Sequence, residues 1–187
     1  MKNRLLATLL LTALANPAFA APEDKYVYTS FSIGSVASLT PTATQTIADG
    51  SSYAVLLGYQ FGQLGALEVG YTSLFSSSSK TFSTTGAIGS DSLGGTEVAA
   101  IFNFPINRSI SPFMRIGSAH MTESLDLGAA SGGISQTPLS GLTYGLGLQL
   151  NQERFGLRIG YDAYNLKDNA GNVVTPRNFY GALILKY

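Results

Sequence analysis

The chain contains no cysteine and a single histidine, His120. The first absence removes any disulfide framework and any lipoprotein-type acceptor. The second leaves little material for a metal cage. Charge is scarce as well. Asp, Glu, Lys and Arg make up 12% of residues, against roughly 25% in an ordinary water-soluble domain. Basic and acidic side chains number eleven each, and no basic cluster offers the electrostatic footprint of a nucleic-acid binder. Beyond the first twenty residues there is no unbroken apolar run long enough for a transmembrane helix. A hydrophobic chain without helical spans must satisfy its backbone by another route, and in a bilayer the remaining route is a closed barrel.

Residues 1–20 read as a secretory signal. Lys2 and Arg4 form the basic start, Leu5 to Ala15 the apolar stretch, and Ala18-Phe19-Ala20 the small-residue cleavage site. The apolar stretch is shorter than the ~20 residues of a spanning helix. Cleavage after Ala20 leaves residues 21–187 as one domain, with nine basic side chains against eleven acidic.

That domain alternates between apolar and small or polar residues. Leu142, Tyr144, Leu146, Leu148 and Leu150 interleave with Gly141, Thr143, Gly145, Gly147 and Gln149. Successive strand residues face opposite ways, so one face is greasy and the other small and polar. Eight strands are predicted, at about 25–36, 52–61, 64–75, 93–104, 111–122, 140–150, 154–165 and 177–187. Their outward rows include Tyr53, Val55, Leu57, Tyr59 and Phe61 on the second, Leu67 to Phe75 on the third, and Phe155, Leu157, Ile159 and Tyr161 on the seventh. On the first strand, Val27, Thr29, Phe31 and Ile33 compete with Tyr26 and Tyr28 for the outward face.

Connections alternate in length. Gly62-Gln63, the turn from Pro105 to Arg108, and Asn151 to Glu153 are tight, whereas Ala37–Ser51, Ser76–Ser92, Glu123–Leu139 and Leu166–Pro176 are long and mostly rich in Ser, Thr, Gly and Ala. This asymmetry predicts short periplasmic turns and long extracellular loops. The fold class is therefore all-β: an eight-stranded antiparallel up-and-down transmembrane β-barrel with both ends periplasmic. Phe61, Phe104, Phe155 and Tyr187 fall near the short-turn ends, and Tyr53, Phe75 and Tyr161 near the loop ends, as membrane-interface girdles require. A soluble lipocalin-like barrel would instead carry its charge outside, and neither face here supplies it.

Ala66-Leu67-Glu68-Val69-Gly70-Tyr71, Ser111-Pro112-Phe113-Met114-Arg115-Ile116-Gly117 and Leu157-Arg158-Ile159-Gly160-Tyr161 resemble strands of the small eight-stranded outer-membrane barrels typified by the OmpA transmembrane domain. The closing Tyr180 to Tyr187 resembles the C-terminal signal read by the barrel-assembly machinery, with its glycine one place early at Gly181. The resemblance implies a cell outer membrane location in a Gram-negative-type envelope and contact with bilayer and lipopolysaccharide. It covers the barrel alone, so no peptidoglycan-binding domain is expected.

The inward parity gathers Glu68, Glu97, Arg115, Arg158 and Asp162. In a narrow lumen these must pair, because an unpaired buried charge costs several kcal/mol. They read either as a plug that fixes strand register or as a gate, the use the resemblance implies. Three functions follow: a structural or surface-interaction protein whose loops bind host or envelope partners; a narrow gated pore; and a lipid A hydrolase. The last rests on Ser118 and His120, which share the outward face while Glu123 has the opposite parity. The first is preferred, with no catalytic residues, no metal and no cofactor.

Overall fold

Alternating strands keep their backbones satisfied in lipid only when paired along both edges. The computed structural model describes residues 25–38, 50–81, 88–107, 109–126 and 134–187, and it meets that demand with a ring. The strands are β1 (Lys25–Ser38), β2 (Gly50–Phe61), β3 (Gly65–Thr81), β4 (Ile88–Asn103), β5 (Ile110–Asp126), β6 (Ile134–Asn151), β7 (Phe155–Lys167), β8 (Val173–Val174) and β9 (Pro176–Lys186). Each of β1 to β7 pairs antiparallel with its neighbour in sequence, and β9 closes the ring between β7 and β1. The two-residue β8 pairs with β7 in the register that β9 continues, from Leu166↔Val174 to Ala163↔Arg177. The two are one barrel strand, interrupted before Pro176, whose nitrogen has no hydrogen to give the ladder. The barrel is eight-stranded, and no helix occurs among the described residues. The expected signal at 1–20 lies outside them.

Two expectations need correction, and one open choice is resolved. The long connections are shorter than the sequence suggested, because β3 runs on to Thr81, β4 starts at Ile88, β5 reaches Asp126 and β6 starts at Ile134. Ser- and Thr-rich backbone pairs as well as any other once a neighbour is in register, and Thr favours strands. The loop centres at 39–49, 82–87 and 127–133 lie outside the described residues. The outward row of β3 also ends early. Its register against β4 shifts between Ser73 and Phe75, so Leu74 is a bulged extra residue and Phe75 turns inward, 2% exposed. The loop-end girdle therefore loses Phe75. On β1 the competition resolves with Val27, Phe31 and Ile33 outward and Tyr28 buried.

Burial is inverted relative to a soluble protein. Leu57, Val69, Met114, Leu146 and Ile159 stand half exposed on the outside, where lipid covers them. Inside, two apolar clusters fill the ends. Val36, Leu74, Phe75, Leu93, Met121 and Leu166 belong to the cluster on the loop side. Tyr28, Ala66, Ile101, Phe113 and Ile184 form the one on the short-turn side.

The β7–β8 connection is ordered by Asp168. Its carboxylate accepts the backbone N–H groups of Ala170 (2.9 Å) and Asn172 (2.8 Å) and the Asn172 side-chain amide (2.7 Å). That side-chain bond, then the backbone ones, hold the Asp168 carboxyl below its ordinary value of 3.8. A lowered folded-state pKa means that the turn's contribution is complete above the ordinary value and is lost as acid protonates the group. On acidification through and below that range, we expect the Ala170 and Asn172 amide resonances to move together and exchange faster, and Asp168→Ala to abolish the transition. For the wall, Leu146→Arg in mid-row should cost about 2–4 kcal/mol in urea unfolding from vesicles, against about 0–1 for Ser124→Arg beyond the apolar rows.

Candidate functional site

Between the two apolar clusters lies the only concentration of charge inside the barrel among the described residues. Glu68 of β3, Glu97 of β4, Arg115 of β5 and Arg158 and Asp162 of β7 all point inward, each no more than 4% exposed. Alternation puts them there, since each flanks outward apolar residues on its strand. Arg158 Nη1 reaches across the lumen to Glu68 Oε1 at 2.7 Å. Arg115 Nη2 donates to Glu97 Oε1 at 2.6 Å, its Nη1 lies 3.3 Å from Asp162 Oδ2, and its Nε lies 3.7 Å from Glu68 Oε2. The five groups form one connected set.

Neutral partners complete it. Tyr28 donates its hydroxyl to Glu68 Oε1 at 2.8 Å, and Tyr164 to Glu97 Oε2 at 3.3 Å. Gln149 Oε1 accepts from both Nε and Nη2 of Arg158, at 3.1 and 2.8 Å. The Arg158 guanidinium also sits 4.9 Å from the centroid of Phe113, which joins the charge layer to the apolar cluster below. Glycine makes room for these side chains. A Cβ on Gly145 would fall 1.9 Å from Asp162 Oδ1, and one on Gly58 would meet the Tyr28 ring at 2.1 Å.

Tyr28 and Tyr164 are absent from the set expected on sequence, because that set gathered only the charged side chains of the inward parity. The signal that marks Tyr28 is its register partner. It pairs with Gly58, as Tyr180 pairs with Gly160, and an inward ring needs such a gap opposite.

The network leaves a space of about 10 Å³ beside Thr72, Glu97, Arg115, Arg158 and Asp162, about enough for one water. Thr72 Oγ1 and Asp162 Oδ1, both buried, make no hydrogen bond within the protein and line that space.

Phe75 aside, the aromatics expected at the membrane interfaces lie on the outer wall. Phe61, Phe104, Phe155 and Tyr187 are exposed at the short-turn end, while Tyr161, midway along β7, is half-buried. Ser118 and His120 are exposed on the outer face of β5, and Glu123 falls on its opposite face, paired with the buried Leu93. A serine–histidine–acid relay is therefore not assembled there. No group of three or more metal-ligating side chains occurs among the described residues.

A closed eight-stranded ring with a lipid-facing apolar exterior and an ion-paired interior defines a class, the transmembrane barrels of the outer membrane. The family described as "Outer membrane protein beta-barrel domain" matches residues 6–183, and the chain belongs to it. It is an integral protein of the cell outer membrane, with its strands in the bilayer. Neisserial surface protein A has a similar structure, with a TM-score of 0.66 at 18% identity over 87% of this chain and 97% of that one. So does Ail, the attachment invasion locus protein of Yersinia pestis, solved in complex with the heparin analogue sucrose octasulfate. Its TM-score is 0.57 at 13% identity, over 89% of this chain and 100% of that one. At these identities the likeness is one of fold. No curated protein sequence matches the chain.

Removing Arg115 takes the nearest cation from Glu97 and Asp162 together. We expect Arg115→Ala to lose about 3–5 kcal/mol in urea unfolding from phospholipid vesicles. Replacing Glu68 and Arg158 together by Met should cost much less than the two single changes added, because neither charge is then left alone.

Proposed function

We propose that this barrel is a non-enzymatic surface protein, structural in the membrane and interactive at its extracellular end. The observation that carries this reading is the filled lumen. An ion-paired layer with room for about one water lies between two apolar clusters, and an interior of eight strands is just wide enough for side chains to fill. The gated-pore alternative needs a path through all three layers, and these contacts oppose it. The charged set is then a structural plug that fixes register.

The extracellular end supports an interactive role. Strands β3 to β6 stay paired as far as Thr81↔Ile88 and Asp126↔Ile134, beyond the last β2–β3 pair at Tyr53↔Ser73 and the last β6–β7 pair at Ser140↔Lys167. A four-stranded sheet thus rises past the rest of the rim and can carry the loop residues to a host or envelope partner. The heparin analogue on Ail makes sulfated glycans the first class to assay. Lipopolysaccharide around the wall, and the barrel-assembly machinery at the Tyr180 to Tyr187 strand, complete the proposed partners.

In planar bilayers the refolded protein should give no discrete conductance steps. Excision of residues 82–87 and 127–133 should abolish retention on a heparin surface while leaving the heat-modifiable gel shift intact. Conductance steps that change in Arg115→Ala or Glu68→Ala would replace this reading with the pore.

A further inference from the structure

A second concavity, of about 360 Å³, opens on the outer wall rather than into the lumen. That volume lies within the range of about 300–1,000 Å³ common for ligand sites. Its base is Tyr53 of β2 and Tyr71 of β3, whose ring centroids are 6.5 Å apart and whose faces are half exposed. Its upper side is built by Ser92, Thr122, Ser124 and Gln136, from β4, β5 and β6. Gly94 opens the slot between them. A Cβ there would stand 2.6 Å from the Tyr71 hydroxyl, so the tip of the ring occupies space that the glycine leaves on β4.

The depth of this groove is set by the outward rows. On β5 the row changes from Met114 and Ile116 to Ser118 and His120, and on β6 from Leu146, Tyr144 and Leu142 to Ser140. The groove spans that change, with rings at the apolar edge and hydroxyls above. It therefore faces the headgroups of the outer leaflet, and whatever fills it arrives from the lipid side.

Its chemistry narrows the occupant. Among the described residues no Asp, Glu, Lys, Arg or His lines it, and none of them offers a countercharge to a phosphate or an ammonium group. Serine and threonine hydroxyls both donate and accept, and a glutamine amide does the same through two atoms. Tyrosine adds a flat apolar face with a polar tip. A ligand that presents hydroxyls on its edges and C–H groups on its faces satisfies all of these at once. We propose that this groove binds the neutral sugar headgroup of an outer-leaflet lipid, stacked on Tyr53 and Tyr71 and hydrogen-bonded to the polar residues above.

The test uses the refolded full-length barrel in dodecylphosphocholine micelles, titrated with dodecyl maltoside as the sugar-headed probe and followed by amide NMR. Saturable shifts clustered on Ser73, Gly94, Thr122 and Ser124 are expected. Tyr71→Leu, which keeps an apolar outward residue, should weaken them ~10-fold or more. Gly94→Ala displaces only the end of the Tyr71 side chain and should weaken them too, which provides a second reading if the first variant folds poorly. The heat-modifiable gel shift checks folding in each. Scattered or non-saturating shifts, or shifts unchanged in both folded variants, overturn the proposal. An equal response to free maltose overturns the lipid-headgroup assignment, and clustered shifts that depend on protein concentration without sugar assign the groove to a contact between copies of the chain.

Discussion

Glu68 ties the interior together. Its carboxylate receives Arg158 from β7 and Tyr28 from β1 on one oxygen and faces Arg115 of β5 with the other. Strands from every quarter of the ring converge on one side chain that is 2% exposed. An ionised carboxylate in such a place persists only with several donors around it, since desolvation alone would cost several kcal/mol. The requirement is reciprocal: each arginine is held by acids on other strands. A register slip of one residue would send any of these groups into lipid, so the network penalises every misregistered ring.

The outside imposes the complementary constraint. Lipid covers the apolar rows but offers nothing to a backbone N–H, so the sheet must close and its inward residues must fit the space that remains. Small residues at Gly58, Gly145 and Gly160 are the counterparts of Tyr28, Asp162 and Tyr180. The interior is packed by pairing large with small across neighbouring strands. Within the charged middle layer the space beside Arg115 and Asp162 has room for about one water.

Strand number and order, and the facing of most strands, were legible in the sequence because a period of two is clear wherever one face must meet lipid. The five interior charges were legible for the same reason, since parity alone assigns them inward. Two features were not. The bulge at Leu74 adds one residue to β3, and Ser73, Leu74 and Phe75 carry no local mark of it, so Phe75 read as an interface ring. The height of β3 to β6 above the rim depends on pairing between distant segments of ordinary Ser- and Thr-rich composition, whereas alternation measures only apolar rows. Tyr28 was half legible: its competition with Val27, Thr29 and Phe31 for the outward face is visible, but Gly58 decides it through a register that only the folded sheet supplies.

The central claim is a closed, ion-paired lumen that keeps water from its arginines. The exchange of the Arg115 and Arg158 side-chain N–H protons with solvent tests it most directly, measured by NMR on the refolded barrel at neutral pH. A closed lumen gives separate, slowly exchanging guanidinium resonances for both residues, with the Arg158 signals shifted by the nearby Phe113 ring. Averaged signals exchanging as fast as those of a surface arginine would mean that water passes freely through the barrel, and the plug account would fail.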